Sequence, residues 1–156
     1  MTPNYEYLLD DVGWQILETL QVDARVSFRE LGERIGLTGA AVAERVRKME
    51  EAGIVKGYWT EFNYERLGFP ITAFIKVNAA GEASIQLKEF IKTLPQLIES
   101  HHVVGGESVI FKVVMPSLHA LESLIETLSH YGTVHPSIVL SSFFHAPDLK
   151  RKPDAI

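Results

Sequence analysis

Hydrophobic residues recur with a helical period in the first part of the chain, between residues 10 and 36. A first helix is predicted from an acidic N-cap, Asp10, to about Leu20. A second is predicted from Ser27, which opens a Ser-x-x-Glu capping box, to Gly36, a residue type that favours a helix end. The predicted apolar stripes are Val12, Ile16, Leu17 and Leu20 in the first helix, and Leu31 and Ile35 in the second.

A third helix is predicted directly after a tight turn. Thr38 is a suitable N-cap for it, and Gly53 is a suitable stop. Two short helices joined by so short a turn are typical of a helix-turn-helix, which places its second helix in the major groove of DNA. The segment from Leu31 to Gly53 is therefore the predicted DNA-binding element. The predicted buried stripe of its second helix is Val42, Val46 and Met49.

The stretch that follows Gly53 loses the helical period. Residues Ile54 to Phe62 are rich in apolar and aromatic side chains, which predicts a strand. Leu67-Gly68-Phe69-Pro70 then interrupts any regular element, because glycine and proline favour turns. A domain boundary is expected between about residues 55 and 70.

The second half of the chain alternates strand-like and helix-like patterns. From Ile71 to Asn78, one set of alternate positions is almost wholly apolar and the other is mixed, which predicts a strand with two unlike faces. Further strands are predicted over 97–104, 107–115 and 133–144, with helices over 84–94 and 117–130. The predicted inward residues of the two helices are Ile85, Leu87, Phe90, Ile91 and Leu94, and Leu118, Leu121, Leu124, Ile125 and Leu128.

The order β-α-β-β-α-β predicts a ferredoxin-like fold, an antiparallel sheet with both helices on one face. The other face would carry Phe74, Val103, Ile110 and Val114, and a second copy of the sheet could cover it as a two-fold dimer. The predicted class is α+β. The expected parts are a winged-helix-like helix-turn-helix domain over 1–56, a connecting strand and linker over 57–69, a ferredoxin-like dimerisation and effector-sensing domain over 70–145, and a polar tail over 146–156.

Composition narrows the class of protein. The 156 residues are 46% hydrophobic and 22% charged, which suits a globular protein with a core. No run approaches the roughly 20 apolar residues that span a bilayer, and no signal peptide is evident, so a cytoplasmic location without membrane contact is expected. The absence of cysteine excludes disulfides, thiolate zinc sites and cysteine nucleophiles. We expect no cofactor.

The net charge of −5 by itself disfavours DNA binding, but the basic residues are distributed in a way that partly offsets this effect. No lysine or arginine precedes Arg25, whereas several lie in the helix-turn-helix region. In the third helix, first-turn amides could bind a phosphate, Glu44 could accept from cytosine N4, and Arg45 could bind guanine or phosphate. A merely solvated helix face would look similar. The predicted DNA contacts are Ser27, Thr38, Gly39, Ala40, Ala41, Glu44, Arg45 and Lys48.

Other candidate sites are weaker. His101 and His102 are neighbours on a predicted strand, so their rings should point to opposite faces and cannot share one metal ion. No metal site is predicted, because the ligand spacing is absent. Gly105-Gly106 is read first as a hairpin turn and second as part of an effector loop.

Taken together, these residues resemble the Lrp/AsnC, or feast/famine, family of transcription regulators. The resemblance extends from Leu9 to about Ser142 and implies a DNA-binding domain, a ligand-sensing ferredoxin-like domain, homodimers with octamers as the higher assembly, and in many members an amino-acid effector. It is carried by Asp23-Ala24-Arg25, Glu30-Leu31-Gly32, Gly36-Leu37-Thr38, Val42, Arg45 to Glu50, Gly53-Ile54-Val55, Gly57-Tyr58 and Leu67-Gly68.

Two departures from the family pattern bear on function. Gly13 stands where an aspartate is common. The Thr-Gly-x-x-Asp segment of the effector pocket reads Val104-Gly105-Gly106-Glu107-Ser108 here, which removes a carboxylate that would hold an amino group. An effector-independent architectural DNA-binding protein is therefore an open alternative. A tetrapyrrole (siroheme) decarboxylase has a similar architecture, but the positions around His101 lack its arginine and its tryptophan-containing strand, so we do not expect an enzyme.

Overall fold

The computed structural model describes residues 5–104 and 108–143. The described chain forms two compact units, one that extends to Thr60 and one from Glu61 to Phe143. Each unit has its own cluster of buried hydrophobic residues. No helix among the described residues is long and apolar enough to cross a membrane.

The first unit is a helix-turn-helix with an additional N-terminal helix, as predicted. A short 3-10 turn, Glu6–Leu8, precedes α1 (Asp11–Val22), α2 (Phe28–Ile35) and α3 (Gly39–Glu51). Tertiary packing of apolar faces is what stabilises helices this short. Its buried core consists of Leu8, Ile16, Val26, Leu31, Val42, Val46 and Met49.

Side-chain caps fix where the three helices begin. An oxygen of Asp10 accepts from the Gly13 amide at 2.8 Å. The Ser27 hydroxyl oxygen accepts from the Glu30 amide at 3.1 Å. Half of the predicted capping box is thus present, whereas the Glu30 carboxylate accepts from Arg34 at 2.6 Å. Gly36 ends α2 with a positive φ of 75°, a conformation that glycine adopts without steric cost.

The second unit is the predicted ferredoxin-like arrangement. Its four strands are all antiparallel in the order β2-β3-β1-β4. Successive side chains of a strand point to opposite faces of the sheet. In β1, Ala73, Ile75 and Val77 are buried on the face that packs against the helices. The elements are β1 (Ile71–Asn78), α4 (Gly81–Lys92), β2 (Leu97–Val103), β3 (Ser108–Met115), α5 (Leu118–Ser129) and β4 (Thr133–Ile138).

The prediction of a strand over Ile54 to Phe62 is wrong. These residues form no regular element, and Trp59 is 80% exposed. A strand needs a neighbour to pair its backbone amides and carbonyls, and no strand among the described residues lies next to this segment.

The fourth strand is shorter than predicted. It ends at Ile138 rather than at Phe144, which lies outside the described residues. Ile138 pairs with Ala73, and the Val139 amide donates to the Thr72 carbonyl at 2.9 Å. In this register Ile71, the first residue of β1, lies opposite Leu140, so pairing with β1 cannot continue as far as Phe144.

The prediction that Ile85 and Leu118 point inward is wrong. Ile85 is 64% exposed and Leu118 is 62% exposed. On α4 the buried stripe is Ser84, Leu87 and Ile91, so Ile85 lies one residue, about 100°, away from it. Leu118 is the first residue of α5, ahead of a stripe that begins at Leu121.

The strand register defines the face opposite the helices, here called the open sheet face. Phe74 pairs with Lys112 and Ser137, and Ile110 pairs with His101, so these side chains share that face. Phe74 is 41% exposed, and Lys112 Nζ lies 5.8 Å from its ring centroid. Val114, which was predicted to belong to the face that a partner covers, is already buried within the chain.

Candidate DNA-binding face

Two glycines allow α2, the turn and α3 to pack closely. A Cβ atom at Gly32 would lie 2.4 Å from the Leu37 carbonyl oxygen, so only glycine fits without a shift of backbone. The Leu37 amide donates to the Gly32 carbonyl at 2.9 Å across the same junction. At Gly39 a Cβ atom would lie 3.1 Å from the Arg29 Cα atom. The sequence correctly predicted that α2 ends at Gly36, but it did not predict the close contact at Gly32.

The first turn of α3 presents its N-terminal end to solvent. The Thr38 hydroxyl oxygen accepts from the Ala41 amide at 3.2 Å, which leaves its proton able to donate to another acceptor. Thr38 and Ala40 are exposed, and Gly39 and Ala41 are partly exposed. Early helix amides and the helix dipole together favour an anion at this position.

The outward face of α3 carries an ion-paired cluster. Arg47 Nη2 and Nε lie 2.7 and 2.9 Å from the two carboxylate oxygens of Glu44, and Arg47 also binds Glu51. Lys48 Nζ lies 3.5 Å from Glu44. The hydrogen bonds from Arg47, aided by the positive charges of Arg47 and Lys48, lower the pKa of Glu44 to about 2. Glu44 is therefore ionised at neutral pH and acts only as a hydrogen-bond acceptor.

Arg45, a predicted DNA contact, lies near the buried stripe of α3 rather than opposite it. At about 100° per residue it is only about 60° around the helix from Val42. Its side chain is 25% exposed, and Nη2 donates to Asp10 Oδ1 at 2.6 Å and to the Tyr7 carbonyl at 3.1 Å. Arg47, which is not among the predicted contacts, lies about 140° from Val42 and is exposed. Helical geometry alone could have identified it.

The segment after α3 is held to that helix by backbone bonds and by one side-chain bond. The Ile54 and Val55 amides donate to the Met49 carbonyl at 2.9 and 3.2 Å. The Tyr58 hydroxyl donates to Glu50 at 2.9 Å. Partial burial and this bond raise the pKa of Tyr58 to about 12, so the hydroxyl stays protonated at neutral pH. Beside this segment lies an apolar groove of about 650 Å³ lined by residues that include Trp14, Leu17, Ile54 and Trp59.

The predicted effector residues are only partly described. Gly105, Gly106 and Glu107 lie outside the described residues, as does the hairpin turn predicted there. Val104 is fully exposed, and the backbone of Ser108 is paired with Val103 and Asn78.

The two neighbouring histidines of β2 lie on opposite faces of the sheet, as predicted. His101 pairs with Ile110 and His102 with Val109. Glu99 lies 3.6 Å from His101. Within residues 5–104 and 108–143, no group of three His, Asp or Glu side chains could hold a metal ion.

Comparison with known proteins identifies both halves of the chain. Residues 9–50 match the AsnC-type helix-turn-helix domain, and residues 72–149 match the Lrp/AsnC ligand binding domain. The HTH-type transcriptional regulator YezC of Bacillus subtilis, itself uncharacterised, is 37% identical over 86% of this chain and 95% of its own length.

Solved structures agree with these matches. The structure of LrpC from B. subtilis superposes with a TM-score of 0.81 at 31% identity, covering 86% of this chain and 96% of LrpC. The transcriptional regulator NMB0573 of Neisseria meningitidis, solved as a complex with L-methionine, superposes with a TM-score of 0.81 at 25% identity, covering 90% of this chain and 95% of its own.

Proposed function

The chain belongs to the Lrp/AsnC family of transcriptional regulators, and on that basis we propose that the exposed face of α3 binds double-stranded DNA. The observation that carries this proposal is that α3 exposes its N-terminus to solvent and, about two turns further along, exposes Arg47 and Lys48. The proposed contacts are Ser27, Thr38, Gly39, Ala40, Ala41, Glu44 and Lys48 from the sequence analysis, with Arg47 added. We propose no catalytic role. A DNA partner fits the expected cytoplasmic location.

Each proposed contact has a distinct chemical role. Thr38 and the first amides of α3 would bind one phosphate, with Ser27 near the start of α2 available for another. Ala40 and Ala41 let the helix approach the groove floor and can touch a thymine methyl. The ionised Glu44 would accept from cytosine N4.

Ion pairing limits the expected affinity. Every cation of α2 and α3 has an acidic partner, so phosphates must compete with carboxylates for it. The exposed pairs among them, those of Arg29, Arg34, Arg47 and Lys48, contribute only about 0–1 kcal/mol each, and phosphates can therefore displace them. We expect modest sequence specificity and a strong dependence on salt, because phosphate contacts would supply most of the affinity.

Replacing Lys48 by alanine is expected to lower the salt dependence of DNA binding. Each phosphate contact contributes about 0.9 to the slope of log affinity against log salt, so the slope should fall by about that amount per bound subunit. The measurement is fluorescence anisotropy with a labelled duplex enriched from a random pool on the wild-type protein. Lys92→Ala is the matched control, because Lys92 is also paired with a glutamate, at 2.7 Å, but lies on α4. Equal slopes for Lys48→Ala and Lys92→Ala would reject the assigned face.

An amino-acid-like effector is the second part of the proposal. The N. meningitidis relative was solved with L-methionine. In this chain the family resemblance implies an effector segment over Val104 to Ser108. Repeating the DNA titrations with L-methionine and other amino acids tests it: a changed affinity supports an effector. An affinity that no amino acid changes favours the architectural, effector-independent alternative.

Self-association is the third part, since the family implies oligomers. The open sheet face, with Phe74 and Ile110 incompletely buried, would be covered by a second copy of the same face. A two-fold dimer presents two copies of α3, as the reading of two half-sites requires. Octamers would be a further assembly of these dimers.

A further inference from the structure

The Arg45 side chain joins three parts of the N-terminal unit. Its Nη2 atom donates both to Asp10 Oδ1 at 2.6 Å and to the Tyr7 carbonyl at 3.1 Å. These partners lie 35 and 38 residues away along the chain, in the segment that leads into α1. The contact therefore connects α3 to the N-terminal turn and to the beginning of α1.

One oxygen of Asp10 serves two purposes. The Oδ1 atom that accepts from Arg45 also accepts from the Gly13 amide at 2.8 Å, and so caps α1. A displacement of α3 away from the start of α1 would lengthen one of these two bonds. A single carboxylate thus couples the position of α3 to that of α1.

The surrounding packing keeps this junction closed. Leu8 of the N-terminal turn is only 2% exposed, within the core that also holds Val42 and Met49. A Cβ atom at Gly13 would lie 1.8 Å from the Leu8 carbonyl oxygen, so the turn lies directly against the α1 backbone. Arg45 Nε has no access to solvent, and only 25% of the side chain is exposed.

We propose that Arg45 is a positioning residue, which with Asp10 holds α3 in its DNA-binding orientation rather than contacting DNA. The Asp10–Arg45 pair and the Tyr7 carbonyl form what we call the α1–α3 lock. This inference rests on the proposed DNA binding. It adds a residue, Arg45, that supports binding by positioning α3 and does not touch the DNA. It also explains why the arginine lies on the flank of the buried stripe while Arg47 and Lys48 face outward.

The test compares four variants by the salt dependence of DNA affinity, using the enriched duplex. Arg45→Ala removes the lock. Arg45→Lys keeps the charge but lacks the planar guanidinium that reaches two acceptors. Asp10→Ser keeps a good N-cap for α1 but removes the carboxylate. The fourth variant combines Arg45→Ala with Asp10→Ser.

All four variants are expected to lose affinity by roughly tenfold, the effect of one charge-assisted hydrogen bond, while keeping the wild-type salt slope. The double variant should be no worse than either alanine or serine variant alone, because both remove the same interaction. A slope lowered by about 0.9 in Arg45→Ala but kept in Arg45→Lys, with Asp10→Ser at wild-type affinity or tighter, would overturn the proposal by making Arg45 a phosphate contact.

Thermal unfolding without DNA separates this inference from the proposed function. Arg45→Ala and Asp10→Ser should each lower the unfolding midpoint of the N-terminal unit by about 4 °C, with no further loss in the double variant. Additive losses would overturn the lock even if DNA binds. Lowered midpoints with unchanged DNA affinity would overturn the positioning role. A wild-type protein that binds no duplex would instead reject the proposed function, and the unfolding result would still decide whether the lock exists.

Discussion

Gly32→Ala is expected to destabilise the N-terminal unit by about 2 kcal/mol or more, although alanine is the better helix former by about 1 kcal/mol. The added Cβ atom would lie 2.4 Å from the Leu37 carbonyl oxygen and 3.2 Å from the Gly39 amide nitrogen. Neither group is free to withdraw, because the turn joins two helices whose apolar faces are buried in the same core. The helix-turn-helix must open or shift.

Chemical denaturation followed by far-ultraviolet circular dichroism measures this loss. Glu33→Ala is the matched control, since Glu33 is the next residue of α2 and its side chain is 66% exposed. Glu33→Ala should change the free energy of unfolding by less than about 0.5 kcal/mol. If Gly32→Ala proved as stable as the wild type, the close packing of α2 on the turn would be contradicted.

Phe74→Lys is expected to convert the self-associated protein into monomers. Phe74 lies on the open sheet face, where a second copy would bury it, and each buried phenylalanine contributes about 1.5–3 kcal/mol. Two-fold symmetry doubles the loss. The new lysine would also lie beside Lys112, its register partner on β3, so that like charges would meet within the proposed interface.

Light scattering coupled to size-exclusion chromatography gives the mass directly. Ile85→Lys is the matched control, because Ile85 is an exposed apolar residue of α4, outside the open sheet face. It should leave the mass unchanged. A Phe74→Lys protein that keeps the wild-type mass would contradict the assignment of the open sheet face as the dimer interface.

Local signals predicted most of the fold. Asp10, Ser27 and Thr38 cap the helices that they were expected to cap, because a capping bond joins residues only three apart. The alternation along β1 likewise predicted its buried face, since side-chain direction in a strand depends only on position parity. These features require no knowledge of distant residues.

The features that the sequence did not reveal depend on residues far away in the sequence, or on the lack of a neighbouring strand. Arg45 binds Asp10, 35 residues away, and no periodicity carries that information. The role of Gly32 depends on how closely the turn returns to α2, which is set by packing. The segment after α3 has strand-like composition, but composition cannot supply the neighbouring strand that backbone pairing needs.

Arg47 was missed for a different reason. The predicted outward face of α3 included Arg45, which was placed on the side opposite Val42, Val46 and Met49. Helical angles measured from Val42 and Met49 would have ranked Arg47 and Lys48 ahead of it. The structure agrees with the angles, since Arg47 and Lys48 are exposed and Arg45 is only partly so.

The most direct test of the DNA-binding face uses the absence of cysteine from the chain. Ala40→Cys places a single thiol at the exposed start of α3, and Gln86→Cys places one on the exposed side of α4. The rate of maleimide labelling is measured with and without a saturating duplex. We expect DNA to slow labelling strongly at position 40 and to leave the labelling rate at position 86 unchanged. Equal labelling of Ala40→Cys with and without DNA, under conditions where the duplex is bound, would contradict the assigned DNA-binding face.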